Sequence, residues 1–480
     1  MPPSPCPLPR WGEGDWVPAP TPGLTTGGAS VPGGPQDGGS NTTGALYLAL
    51  NPGSSGTYTQ NNGTNTVNGG LNLASGSSSN GTYNLYDGSL TATGYVWVGY
   101  KGTGIFNQTG GTFDVTNPSY GISIASQIGS TGEYNLSGGD LKVAGIVSVG
   151  TRGTGTFTQS GNSTNTVNGN LVLGNIVAGA VGTYNMNAGA LTVNGNMNVG
   201  MDGKGQFTQN NGTVSVATGT ITIAAGTSSQ GTYDLKGGTL TAANIVNNDT
   251  FNFSGGNLNA NITNNANFKL EGPGERVVNG TFGNNVAAAM LEIANTQAKF
   301  TQDVTNYGTV KVTNSTVTFE GTYYEYGVYN SDPSITIFND LIIKPGGSLI
   351  GGVDDRFIIA GDFEIDSGGS LDPVISLTFG SGSHEFMFTG ILTFAQLILD
   401  SNGKLNIIGG LGSVLDVTDF SGDPGDIVNA GSNPVTIYYD GGEIILPGSG
   451  QPVPEPSTLL LLGSGLLGAA GFLKRRFKKN

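Results

Sequence analysis

The chain of 480 residues contains one cysteine, Cys6, and one histidine, His384. A single thiol closes no internal disulfide, and with one imidazole beside it the usual sulfur and nitrogen ligands of zinc are almost absent. Charge is scarce as well: 11% of residues are Asp, Glu, Lys or Arg, and 33 acids outnumber 18 Lys+Arg. Five of the cations, Lys474, Arg475, Arg476, Lys478 and Lys479, fall in the last seven residues, so residues 1–452 hold 13 cations against 32 anions, a net charge of −19. Phosphate backbones are bound through clustered Lys and Arg, which excludes nucleic acid as a partner. Uninterrupted helical windows are also missing, because 83 Gly and 22 Pro are spread along the chain and each interior Gly costs a helix about 1 kcal/mol relative to Ala. Collagen is excluded by the lack of a strict Gly period, and full disorder by apolar positions that recur for hundreds of residues.

What is present is repetition. Apolar pairs at i and i+2, each followed by Gly or Ala, recur as Leu46/Leu48, Leu71/Leu73, Val96/Val98, Ile122/Ile124, Val147/Val149, Leu171/Leu173, Met197/Val199 and Ile221/Ile223. Their second members stand 24 to 26 residues apart, and such alternation marks a strand with one buried face. Beyond each pair an aromatic follows a Gly-x step: Tyr58, Tyr83, Phe106, Tyr134, Phe157, Tyr184, Phe207 and Tyr233. A third apolar position is read at Val67, Leu90, Val115, Leu141, Val167, Leu191, Val214 and Leu240. Units such as GTYNLYDGSL alternate with units such as GTFTQSGNS, giving a superperiod near 50 residues. Three short strands cannot bury their own apolar face, whereas stacked coils can, each strand pairing in parallel with its copy about 4.8 Å away. The expectation is an all-β fold, a parallel β-helix (β-solenoid) of about 25-residue coils. A kelch-type propeller shares the longer period but gives no reason for the half-period. After about residue 245 the spacing loosens, although IIKPGGSLIGG, FEIDSGGSLDP and LILDSNGKLNI keep a strand-turn-strand pattern.

With the apolar pairs inward, the aromatics of successive coils should stack as a ladder. Two residues further on, Leu85, Leu136, Met186 and Leu235 alternate with Gln60, Gln108, Gln159 and Gln209 on the same face. A buried amide is costly unless bonded, so these glutamines are expected at a corner or bonded to adjacent turns. Outward positions are dominated by Thr, Ser, Asn and Gly, which supply no acid, base or strong nucleophile.

No GxSxG, HExxH or Walker-type run occurs and His384 stands alone in GSGSHEFMF, so no catalytic residue is assigned. The acids of the regular coils, Asp87, Asp114, Glu133, Asp140, Asp202 and Asp234, do not recur at one position, as the convergent carboxylates of a polysaccharide-cleaving β-helix would. No cofactor is expected and no metal ligand is assigned. Oxygen-rich runs at Asp354 and Asp355, and at Asp416, Asp419, Asp423 and Asp426, would suit structural Ca2+, but neither has EF-hand or RTX spacing and solvated acidic turns are preferred. Aromatics cluster on one coil as Tyr86, Tyr95, Trp97 and Tyr100. Tyr95 and Trp97 are opposite in phase to Val96 and Val98, so they are expected to face solvent as candidate glycan contacts, with packing under a neighbouring loop as the alternative. Ice binding would need flat Thr arrays, and the pairs Thr64/Thr66, Thr91/Thr93, Thr164/Thr166 and Thr220/Thr222 are read as not sharing one coil position.

The C-terminus, VPEPSTLLLLGSGLLGAAGFLKRRFKKN, has three parts. Val453, Pro454, Glu455 and Pro456 precede an apolar run anchored by Leu459, Leu460, Leu461, Leu462, Leu466, Leu467, Phe472 and Leu473, and the basic cluster Lys474, Arg475, Arg476, Lys478 and Lys479 follows. As a helix the run reaches about 22 Å, short of a bilayer core near ~30 Å. With snorkelling flanks it forms a short C-terminal transmembrane helix whose positive end stays in the cytoplasm. This tail resembles the PEP-CTERM sorting signal of Gram-negative bacteria over about 28 residues, matching its parts in order. The resemblance implies export, transient anchoring in the inner membrane, processing near Pro454, Glu455 and Pro456 by an exosortase, and a final place at the cell surface or outside the cell. It also carries an association with exopolysaccharide, biofilm or floc formation and surface display. The repeats, over about residues 45–260, resemble PEP-CTERM-associated and autotransporter-passenger β-helical repeats.

A secretory leader needs an apolar core. MPPSPCPLPRWGEGDWVPAPTPG has none, and ALYLALNPGSSGTYTQ enters the repeat directly, so a misplaced start and a missing leader are expected. The expected organisation is a disordered Pro/Gly-rich segment over 1–44, regular coils over 45–260, irregular coils or a terminal β domain over 261–445, a linker over 446–452, and the sorting signal with its anchor over 453–480. The expected function is not enzymatic: a structural or adhesive surface or matrix element whose partners are exosortase, transiently the inner membrane, and then extracellular polysaccharide or the cell surface. A glycan- or ice-binding surface protein is the alternative, with a polysaccharide-degrading enzyme ranked below it.

Overall fold

The corners of the coil explain the recurring small residues. In the computed structural model, which describes residues 25–26, 36–352, 354–440 and 442–448, the residue after each apolar pair of the first coils has positive φ: Ala49, Ala74, Gly99, Ala125, Gly150 and Gly174, at 57° to 79°. Gly enters this region freely, and Ala is the smallest side chain to bear its cost. The Gly two residues before each aromatic is required by close approach. A Cβ on Gly81 would lie 2.5 Å from the Ala74 nitrogen, and on Gly132 2.5 Å from the Ala125 nitrogen. The chain thus turns back over its own backbone at every coil.

Two compact units, Met1–Thr183 and Tyr184–Asn480, are both parallel β-solenoids, with about 17 coils of about 23 residues in all. In the first unit the apolar pairs align as read: Leu46, Leu71, Val96, Ile122, Val147 and Leu171 form one column, and Leu48, Leu73, Val98, Ile124, Val149 and Leu173 the next. Six-residue strands such as Asn80–Leu85 and Thr103–Gln108 pair in a second sheet. There Tyr58, Tyr83, Phe106, Tyr134 and Phe157 stack with ring centroids 4.7 to 5.1 Å apart. All but Tyr58, at the N-terminal end, are fully buried.

The third column differs from the reading. Val67 lies beside Ala92, Val115, Val143 and Val167, while Leu90 sits two residues earlier, beside Asn65, Phe113, Leu141 and Asn165. Both positions face inward: the first carries the larger apolar group in the coils of Leu90, Phe113 and Leu141, and the second carries the only apolar group where Asn65 and Asn165 occupy the first. The boundary at residue 45 also falls inside a coil: Ser40–Thr43 pairs in parallel with Thr64–Val67, and Gln36 bridges to Gln60.

In the second unit the coil contracts. Tyr233 pairs with Phe251 and Phe251 with Phe268, steps of 18 and 17 residues. Turns between short strands have been lost, so that Thr239–Asn247, Ser315–Glu325 and Ser334–Ile343 run round a corner as single strands with a register shift between neighbours. This contraction is what dissolves the sequence period after residue 245. The last coil is closed by an antiparallel pairing of Val435–Tyr439 with Gly442–Leu446. Among the described residues the helical content is a single 3-10 turn, Pro424–Asp426, and no helix is long and apolar enough to cross a membrane. The expected span at Leu459 to Leu473 lies outside the described residues, as does most of the segment 1–44.

Candidate functional site

Tyr95 and Trp97 flank the buried Val96 and project outward, as alternation requires. Both are half-buried because they pack on one another: Trp97 stacks on Tyr95 at 3.8 Å between centroids and on Tyr100 at 4.4 Å, and Tyr120 meets Tyr95 edge-on at 6.2 Å. Burial, with Tyr47 adjacent, pushes the Tyr95 phenol up to about 12. Gly70 makes room for the Tyr95 ring, since a Cβ there would lie 2.3 Å from its Cε2. The ring faces are thus largely engaged with each other, and Tyr120 is the more exposed member of the group. Tyr86, which the sequence groups with these rings, is half-exposed.

The acids of the suggested calcium runs are placed apart and used as turn acceptors. Asp355 is buried and accepts from the Ser331 hydroxyl (2.7 Å), the Ser334 nitrogen (2.7 Å) and the Gly352 nitrogen (2.6 Å), whereas Asp354 is exposed. Asp419 accepts from Gln396 and Asp423 caps the 3-10 turn, with Asp416 exposed and Asp426 half-buried. Among the described residues no three His, Cys, Asp or Glu side chains are grouped to hold a metal. His384 is buried, its ring nitrogens 2.8 Å from the Gly361 carbonyl and 3.0 Å from that of Gly380. The threonine pairs require a correction. Thr64 and Thr164 share one outward column, and Thr66, Thr91 and Thr166 share the next, because the TNTV strand of Thr64–Val67 returns four coils on as Thr164–Val167. Asp114, Asp140 and Lys142 interrupt these columns with charge, which a flat hydroxyl array would not carry.

The glutamines bond adjacent turns, as expected, with Gln60 donating to the Gly63 carbonyl at 3.0 Å, but their tyrosine partners and a longer asparagine column are features sequence reading missed. Gln60 and Gln108 are fully buried, and each accepts from the Tyr of the next coil, Tyr83 and Tyr134, at 2.7 Å. Their amide groups donate onward to the Ser89 and Asp140 carbonyls at 3.0 Å. Within the second unit Tyr233 donates to Gln209 in the same way. The superperiod is therefore a pairing rule: a Gln coil is followed by a Tyr coil, and a Leu coil, which offers no acceptor, by a Phe coil.

The second unit carries a longer column. Asn247 donates to Asn264 (2.7 Å), Asn264 to Asn284 (2.7 Å), Asn284 to Asn306 (3.0 Å), and Asn306 to both oxygens of Glu325 (2.8 and 3.0 Å). Glu325 ends it, also accepting from Tyr323 Oη and the Gly327 nitrogen, with apolar Ile343 beside it on the next coil. Burial pushes this carboxyl up to about 8, against the pull of those donors. The sequence signal was present, since the sequences VNN, TNN, GNN and TNYG recur, but turns account for such runs equally well.

The sorting and anchor residues, Val453 to Lys479, lie outside the described residues, a few positions beyond the closing hairpin. Residues 452–476 match the family model of the PEP-CTERM protein-sorting motif. Neither the curated proteins nor the solved structures yield a match to the chain.

Proposed function

We propose that the chain is an exported, non-enzymatic β-solenoid, sorted through its C-terminal tail by an exosortase and retained at the cell surface or in the extracellular matrix of a Gram-negative bacterium. The observation that carries the reading is the motif match at residues 452–476. Pro454 and Pro456 would keep this stretch out of a helix and open to a protease. The apolar run would hold it beside the inner membrane while the basic cluster resists translocation. Placement of the motif after the hairpin Val435–Leu446 supports the same reading, because cutting there leaves the last coil closed. Support for a structural role rather than catalysis comes from the uses of the polar groups: buried Gln, Asn, Asp355 and His384 side chains are bonded to neighbouring coils or turns. In the exporting host, mass spectrometry of surface material should find the body without Leu459 to Asn480, and Glu455→Ala should leave the tail attached. An intact tail on the mature surface protein, or normal processing of Glu455→Ala, would refute this reading.

A further inference from the structure

The turns of the first unit at Gly99–Gly102, Ala125–Ser130, Gly150–Gly153 and Gly174–Ala180 stack into a ridge. The Ser126 nitrogen bonds the Gly99 carbonyl, Arg152 that of Ala125, and Ile176 that of Thr151. Residues 36–183 hold three cations, Lys101, Lys142 and Arg152, against five acids, Asp37, Asp87, Asp114, Glu133 and Asp140. Two of the three cations, Lys101 and Arg152, lie on the ridge, and none of the acids does. Lys142 lies in the outward column beside Asp114. In an acidic chain this separation of sign is the unusual feature.

Arg152 forms no ion pair among the described residues. It borders a hollow with Ile128, Thr131, Thr154 and Val177. Thr131 and Thr154 are exposed, and Ile128 projects from its turn at 78% exposure. A guanidinium fork, two free hydroxyls and two aliphatic surfaces match the three parts of a sugar acid: its carboxylate, its hydroxyls and its C–H face. Lys101 stands over the Tyr100 ring at 5.4 Å with no carboxylate partner among the described residues. It lies two coils from Arg152, about 10 Å at the spacing of paired strands, which is roughly the span of two sugar rings.

The geometry points to a binding site for a linear anionic polysaccharide along this ridge, one uronate in the hollow at Arg152 and a second acidic group at Lys101. The inference rests on the proposed location outside the cell and names the ligand class for that location. Charge complementarity selects this occupant, since a neutral glycan would leave both cations without a partner.

The test is calorimetric titration of the purified full chain, in mild detergent, with oligogalacturonate and with a neutral malto-oligosaccharide of equal length. Oligogalacturonate should bind and weaken with added salt, and the neutral oligomer should not bind. Arg152→Gln should weaken binding by about tenfold or more, as loss of a bidentate charged contact does. Arg152→Lys should fall between, and Lys142→Gln should match the wild type. Unchanged thermal unfolding of Arg152→Gln would show that its loss is local. Absence of oligogalacturonate binding, equal binding of the neutral oligomer, wild-type affinity in Arg152→Gln, or an equal loss in Lys142→Gln would each overturn the proposal. Tail processing is read separately by mass spectrometry, so a processed chain that fails these titrations sinks the ligand and leaves the sorting intact.

Discussion

Replacing Glu325 by Gln should stabilise the protein in alkali and do little in mild acid. The carboxyl is fully buried, its partners are neutral donors, and burial raises it from 4.5 to about 8. Across that interval the folded chain keeps the proton while the unfolded chain releases it, so rising pH favours unfolding. Each unit costs about 1.4 kcal/mol, and the whole interval about 5 kcal/mol. Stability from the neutral acid is thus fully present below about pH 4.5 and lost as pH rises to about 8. Gln keeps the size of the side chain and an oxygen for the Asn306 amide and the Gly327 nitrogen, but has no charge to desolvate. Urea unfolding followed by far-ultraviolet circular dichroism, at pH 5 and pH 9, would read the difference between wild type and Glu325→Gln, which cancels every other titrating group. The variant should gain about 4 kcal/mol more at pH 9 than at pH 5. Glu325→Ala should instead lose stability at both pH values, because it strands three buried donors. Parallel pH profiles for wild type and Glu325→Gln would refute the argument.

Other outcomes follow from the same columns. Phe157→Ala, which empties a fully buried rung, should cost roughly 3–5 kcal/mol, while outward Thr158→Ala should change little in the same titration. Gln108→Leu and Tyr134→Phe should each cost about 1–3 kcal/mol by leaving the partner unsatisfied, and the double variant should lose less than the two together. Simple additivity in that cycle would mean the 2.7 Å bond contributes nothing.

The register of the first two columns was legible because apolar residues at i and i+2 followed by a small residue seldom arise except in a strand with one buried face, and each pair found its copy at the expected step. The third column was not, because Asn65 occupies an inward position and reads as polar surface. Its amide donates to Tyr83 Oη at 3.0 Å, a bond to a residue 18 positions away that only the coiled register reveals. The Asn247 to Glu325 column failed to show for the same reason: each partner lies 17 to 22 residues off, and an isolated Asn favours a turn just as well. Of the site residues, Tyr95 and Trp97 were legible as outward by phase alone, but their mutual stacking depends on Tyr100 and Tyr120, beyond the strand that set the phase. The hollow at Arg152 draws on turn tips from three coils, none of which carries a motif.

The polar columns also explain why a repetitive apolar core specifies one stacking order. The aromatic ladder by itself tolerates a slip of one coil, since every rung is Tyr or Phe and every neighbour is equivalent in size. Slip by one coil sets Gln108 against a coil with Phe and Tyr134 against a coil with Leu. Each misplaced pair then leaves a buried hydroxyl and a buried amide without partners, at about 1–3 kcal/mol for each group. A slip of two coils would restore those pairs. Asn65, however, pairs by register with Leu90, and Phe113 and Leu141 hold the same inward position in the two coils after that, so a slip of two coils sets Asn65 in the place of an apolar group. Hydrophobic burial therefore drives the stacking, and the buried amides restrict which coil sits on which.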